Sequence, residues 1–175
     1  MSAFENYSLI LHLMDSLYNK DSWCGETHIQ KSMYVYETVF SVKTEFNYVL
    51  YKHGPYSFNL HDTLNDLMAY QLVEAEQRPP YGPRLKVTDQ GRSFMQQHGS
   101  VDPKGLEAVT TALRHESVQS LEKLATALMI FVKDPTEHAE NRAQLLHELK
   151  PHVPLEDARI ATCRMDVMWK QLKAA

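Results

Sequence analysis

Nine histidines in 175 residues invite a search for metal or acid–base chemistry, and one compact cluster emerges: His53, His61 and Asp62. Two imidazoles and a carboxylate make a donor set suited to zinc and similar ions, provided the turn carrying His53 meets the first turn of the next helix. The pattern offers no second His–Asp pair, no H-E-x-x-H and no C-x-x-C. Asp62 serves equally as a negative group near a helix N-terminus, where it complements the helix dipole. Nucleophile and phosphate searches also fail: neither G-x-S-x-G nor G-x-x-x-x-G-K-S/T occurs, and six glycines leave little for a nucleotide cradle. Cys24 and Cys163 stand alone and far apart, and are expected as buried thiols of a reducing compartment. The expectation is a protein that is not an enzyme, with no metal and no cofactor.

Composition sets the frame for those residues. A 43% hydrophobic chain of this length builds a core without staples. Met1 to Glu5 lacks a basic region followed by an apolar run, and no stretch reaches the roughly 18 apolar residues of a membrane span, so a cytoplasmic protein is expected. Eighteen Lys and Arg against 22 Asp and Glu give a formal charge of -4, which opposes non-specific attraction to a phosphate backbone.

Apolar residues at steps of three and four predict helices over 7–18 and from about Glu26 to Phe40. The aromatic and β-branched run from Phe46 to Lys52 predicts an extended segment, ended by a turn at His53–Tyr56. Ser57 is a cap for a third helix carrying Leu60, Leu64, Leu67, Met68 and Leu72. Two short extended stretches, 72–76 and 85–88, flank the Pro- and Gly-rich run Arg78 to Arg84, which predicts a two-stranded wing, and Thr88 caps a short helix. Asp102-Pro103 and Asp134-Pro135 read as helix starts, and Pro154 opens a last helix. In the bundle, Leu106, Val109 and Leu113 mark one helix, Leu121, Leu124, Ala125, Leu128 and Val132 a second, and Leu145, Leu146 and Leu149 a third. The closing helix carries an apolar seam of Leu155, Ala158, Thr162, Met165, Trp169 and Leu172, expected against the chain's own core, with a homo-oligomer seam as the alternative. The fold expected is mainly α: a winged helix-turn-helix domain with a small β-wing over 1–98, joined by residues 98–102 to a C-terminal helical bundle over 103–175.

The run His28-Ile29-Gln30-Lys31-Ser32-Met33-Tyr34-Val35-Tyr36, followed by Tyr51-Lys52-His53-Gly54-Pro55-Tyr56-Ser57, resembles the YwgA family of bacterial proteins and the related Panacea, or SocA-like, antitoxin domains. Those share an L-Q-K helix motif and a following Y-G-P-Y-S turn, and the tail Leu149 to Pro154 is similar to the family's end. His28, Ser32 and His53 depart from its usual residues. The resemblance implies a binding protein of a regulatory or defence system, holding a toxin by protein contact or presenting it to a protease, and carries over no catalytic residue. Read physically, Gly54, Pro55, Tyr56 and Ser57 serve a turn and a helix cap. Gln30 and Lys31, beside the buried Ile29 and Met33, are expected on a solvent or interhelix face, with Gln30 hydrogen-bonded to that turn.

A winged helix that reads bases places its third helix in the major groove and relies on Lys and Arg. From Ser57 to Gln77 the chain has neither, and instead carries Asp62, Asp66, Glu74 and Glu76. The expected partner is therefore a protein, with Asp62 and Asp66 facing a basic surface. The alternative is a transcription regulator touching DNA through the wing residues Arg78, Tyr81, Arg84 and Lys86. The aromatic group Tyr34, Tyr36, Phe40, Phe46, Tyr48 and Tyr51 is expected as core packing between the second helix and the extended segment.

Overall fold

The computed structural model describes residues 2–98 and 103–175. Among them are eight helices and two separate two-stranded antiparallel sheets. Helices α1 (Ala3–Asn19) and α2 (Glu26–Phe40) are followed by a first hairpin of β1 (Val49–Tyr51) and β2 (Gly54–Tyr56), then by α3 (Phe58–Ala69). A second hairpin joins β3 (Val73–Glu76) to β4 (Arg84–Val87), and α4 (Asp89–His98), α5 (Pro103–Leu113), α6 (Val118–Phe131), α7 (Ala139–Leu149) and α8 (Leu155–Lys173) complete the chain. No helix among the described residues is long and apolar enough to cross a membrane.

Local chemistry sets several of these boundaries. Ser2 and Glu5 form a reciprocal capping box, which starts α1 ahead of its apolar repeat. The Ser57 hydroxyl accepts the Leu60 N–H at 3.2 Å, and Thr88 accepts the Gly91 N–H at 3.0 Å. Gly91 is required by close approach, because a Cβ there would stand 2.3 Å from the Leu72 carbonyl oxygen.

Helix α2 is the hub. It touches α1, α3, β2, α5, α6 and α8, and residues 28–36 are buried without a break. A helix covered on every side must be apolar all round or give its polar side chains partners. Helices α6, α7 and α8 pack on one another, and the α8 seam of Ala158, Thr162, Met165 and Leu172 is buried within the chain's own core.

Several expectations are corrected. The segment Gly54–Tyr56 is a strand rather than a turn, pairing Val49 with Tyr56, Leu50 with Pro55 and Tyr51 with Gly54. Proline fits there because Leu50 and Pro55 face each other at a position that needs no N–H from Pro55. Asp134 does not cap a helix: its carboxylate accepts the N–H and hydroxyl of Thr136 at 3.0 and 2.7 Å, closing a turn, and α7 starts at Ala139. In α7 the covered face is Arg142, Ala143 and Leu146, whereas Leu145 and Leu149 are exposed, because the bidentate pair of Arg142 with Asp166 of α8 sets the rotation. Val132, at the C-cap of α6, is exposed, and so is Cys163. Cys24 is buried, and burial pushes its thiol up to about 12, as befits an inert core thiol. Asp102 and residues 99–102 lie outside the described residues.

Candidate functional site, a hairpin anchored on buried charge

The first hairpin has an inner and an outer face of opposite character. Its inner face rests on α2 and α6. Gln30 of α2 is fully buried and makes a reciprocal pair with the backbone of Ser57: its Nε2 donates to the carbonyl at 2.9 Å, and the Ser57 N–H donates to its Oε1 at 3.0 Å. This is the bond expected of Gln30. Of the solvent and interhelix faces expected for Lys31, the solvent one is excluded: it is 2% exposed and donates from Nζ to the Pro55 carbonyl at 2.8 Å.

The remaining anchor comes from far along the sequence. Lys150, at the end of α7, donates from Nζ to the carbonyls of Tyr51 and of Lys52, the latter at 2.8 Å. Its Nζ also lies 3.6 Å from Oε1 of Glu122 on α6, and both side chains are almost wholly buried. His152 Nε2 stands 3.0 Å from that same oxygen, and His53 Nδ1 3.4 Å from Oε2. One buried carboxylate thus sits among two lysines and two half-exposed imidazoles. Burial pushes the Lys31 amine down to about 8, opposed by the attraction of Glu122 and reinforced by Lys150. Gly54 is required at the hairpin's closest approach to α6. Its φ is +83°, and a Cβ would stand 2.9 Å from the Thr126 hydroxyl and 3.1 Å from the Glu122 carbonyl.

The outer face is apolar and open. Val49 and Tyr51, which alternate with Leu50 along β1, share this face and are exposed, as is Phe58 at the start of α3, with Tyr51 54% and Phe58 53% accessible. Tyr51 is therefore no part of the core, unlike Tyr34, Tyr36 and Phe46, which are buried as expected. The rings of Tyr51, Tyr56 and Phe58 contact one another at centroid distances of 5.1 to 5.6 Å. The Tyr56 hydroxyl donates to Glu26 at 2.9 Å, and burial together with that bond raises its pKa. Asp62 stands one turn beyond Phe58 on α3 and is exposed, as is Asp66, whose carboxylate accepts the Tyr7 hydroxyl at 3.1 Å.

His53, His61 and Asp62 do not come together as a ligand set. His53 turns to Glu122, whereas His61 Nδ1 lies 2.8 Å from Glu26 on α2. No group of three or more metal-type side chains converges among the described residues.

The wing cations are held within the molecule. Arg78 pairs with Glu76 at 3.0 Å, and Lys86 with Glu74 at 3.2 Å. Arg84 stacks on the Tyr18 ring at 3.8 Å and donates to the Tyr18 carbonyl at 3.2 Å. Tyr81 stays open, 70% exposed and edge-on to Trp23.

Glu122 and Lys150 carried no signal of their own in the sequence. No protein-family model matches the chain, and no curated protein matches it.

Proposed function

We propose that this chain is a non-enzymatic protein-binding module of a bacterial or phage-related regulatory system, similar to Panacea-type antitoxins, and that it docks its partner on the outer face of the first hairpin. The observation that carries the reading is the exposed group Val49, Tyr51 and Phe58 around Tyr56, bordered by Asp62. Exposed apolar groups rimmed by charge mark interaction surfaces, and aromatic residues dominate their energetics. Pro55 supports an edge-docking geometry. Because Leu50 faces a residue without an N–H, its own N–H and carbonyl point away from β2, toward the free edge of β1. An extended partner segment that adds to this edge, with apolar side chains over Tyr51 and Phe58 and a basic one against Asp62, fits the charge and the backbone together.

The resemblance to YwgA and Panacea proteins is supported by the meeting of its three quoted segments around Glu122: Lys31 from the first, Gly54 and Pro55 from the second, Lys150 and His152 from the third. The winged-helix reading is supported by the order α1, α2, α3 and then the β3–β4 hairpin. Protein is favoured over DNA as partner because the wing's cations already have acceptors or a ring within the chain. The test is capture from the native host with and without nuclease, comparing the wild type with a Tyr51→Ala/Phe58→Ala variant and with Asp62→Lys/Asp66→Lys. A stoichiometric protein that survives nuclease and is lost from both variants supports the reading. Retention by both variants contradicts it, and nucleic acid lost on changing Arg78 and Lys86 would transfer the function to the wing.

A further inference from the structure

Helix α8 carries a second stripe on the side opposite its buried seam. Glu156, Ile160, Cys163, Val167 and Lys170 follow one another at steps of four, three, four and three residues, which lines them up along one side of the helix. All five are exposed, Ile160 by 52% and Val167 by 56%. This alternation of four and three is the spacing by which two helices pack along a common seam. Beside the stripe runs a groove of about 400 Å3 between α8 and the α5–α6 corner, with Ala112, Leu124, Val167 and Met168 among its walls.

The charges at the two ends of the stripe identify what covers it. Glu156 lies seven residues before Cys163 and Lys170 seven residues after it, about two turns on either side. Lys170 pairs with no acid among the described residues. Glu156 has one contact, at 3.3 Å with Arg159, whose guanidinium is otherwise held by Glu140 at 2.6 to 3.1 Å. A second copy of α8 laid antiparallel about Cys163 sets each Glu156 against the other copy's Lys170. In the same register Ile160 of one copy falls beside Val167 of the other, at the mouth of the groove. A parallel copy instead sets Glu156 against Glu156 and Lys170 against Lys170, which repel. The stripe is therefore complementary to itself in one orientation, as a two-fold interface requires. Arg164, which adjoins the axis, is already neutralised by Glu116 at 2.6 Å.

We propose that this chain forms an antiparallel homodimer through the outer stripe of α8, with Cys163 on the two-fold axis.

Sedimentation equilibrium of the full chain over a concentration series, together with reaction with a short bis-maleimide, tests this. The expected result is a reversible dimer that the reagent joins through Cys163, because Cys24 is buried and the chain has no third cysteine. Ile160→Ser/Val167→Ser weakens dimerisation about tenfold or more and suppresses the cross-link. Both side chains are exposed in the monomer, so the variant keeps its fold. Lys170→Glu weakens dimerisation about fivefold, and Glu156→Lys/Lys170→Glu restores it, because exchanging the two charges re-pairs them in the antiparallel orientation. A chain that stays monomeric up to millimolar concentration, a dimer that the reagent does not join, or a dimer indifferent to the charge variants overturns the proposal.

Discussion

The molecule carries two short hairpins that differ in what holds them. The β3–β4 hairpin neutralises its cations with its own acids: Lys86 with Glu74, Arg78 with Glu76, all in reach of water. The β1–β2 hairpin borrows its anchors from helices α2, α6 and α7, through Lys31, Glu122 and Lys150, which are removed from water. Exposed pairs contribute little to stability, whereas a buried charge that loses its partner is costly. A two-stranded hairpin is marginal by itself. The buried anchor lets the first one hold its backbone fixed while turning Tyr51 outward beside Phe58 of α3, as the proposed docking edge requires.

The comparison breaks most sharply at Glu122. Glu122→Ala leaves Lys31 and Lys150 buried without their carboxylate and is expected to cost about 3–5 kcal/mol, read by urea unfolding. The pH dependence of Lys31 sharpens it next. Its amine sits at about 8 in the folded chain against an ordinary 10.5, so the unfolded chain holds the proton more tightly between those values. Stability is therefore at its lower level below pH 8 and climbs by about 3 kcal/mol as pH rises to 10.5. That climb disappears in Lys31→Met, and a variant that keeps it would show that Lys31 is not the titrating group. Gly54→Ala comes third, at about 2 kcal/mol, from the positive φ and the contact with α6. Adding Thr126→Ala removes only the nearer clash and restores part of the loss. Smallest of all, Arg78→Ala and Lys86→Ala in the other hairpin leave the unfolding midpoint where it was.

Much of the fold was legible because it is local. The bounds of α2, the Ser57 and Thr88 caps and the wing strands follow from periodicity and turn chemistry within a few residues. The Gln30 bond to Ser57 was accessible too, since the turn had to be held by something on α2. The strand Gly54–Tyr56 is hidden in the sequence because Gly and Pro usually end a strand, and only the pairing with β1 shows that Pro55 sits where no N–H is required. The anchor was illegible for a different reason. Glu122 and Lys150 meet the hairpin across tens of residues of sequence, and a lone charge on an amphipathic helix reads as solvated until the packing of α6 on α2 buries it. Tyr51 shows the converse, an aromatic whose crowding with other rings assigns it to a core and which the hairpin turns to the surface.

The most direct test is hydrogen exchange of the backbone amides in both hairpins, wild type against Lys150→Met, under conditions where the chain stays folded. The account predicts that the amides of residues 49–56 lose protection while those of 73–76 and 84–87 keep theirs, because only the first hairpin hangs on the buried lysine. Equal loss in both hairpins, or none in either, would contradict the claim that buried charge is what holds the first hairpin in place.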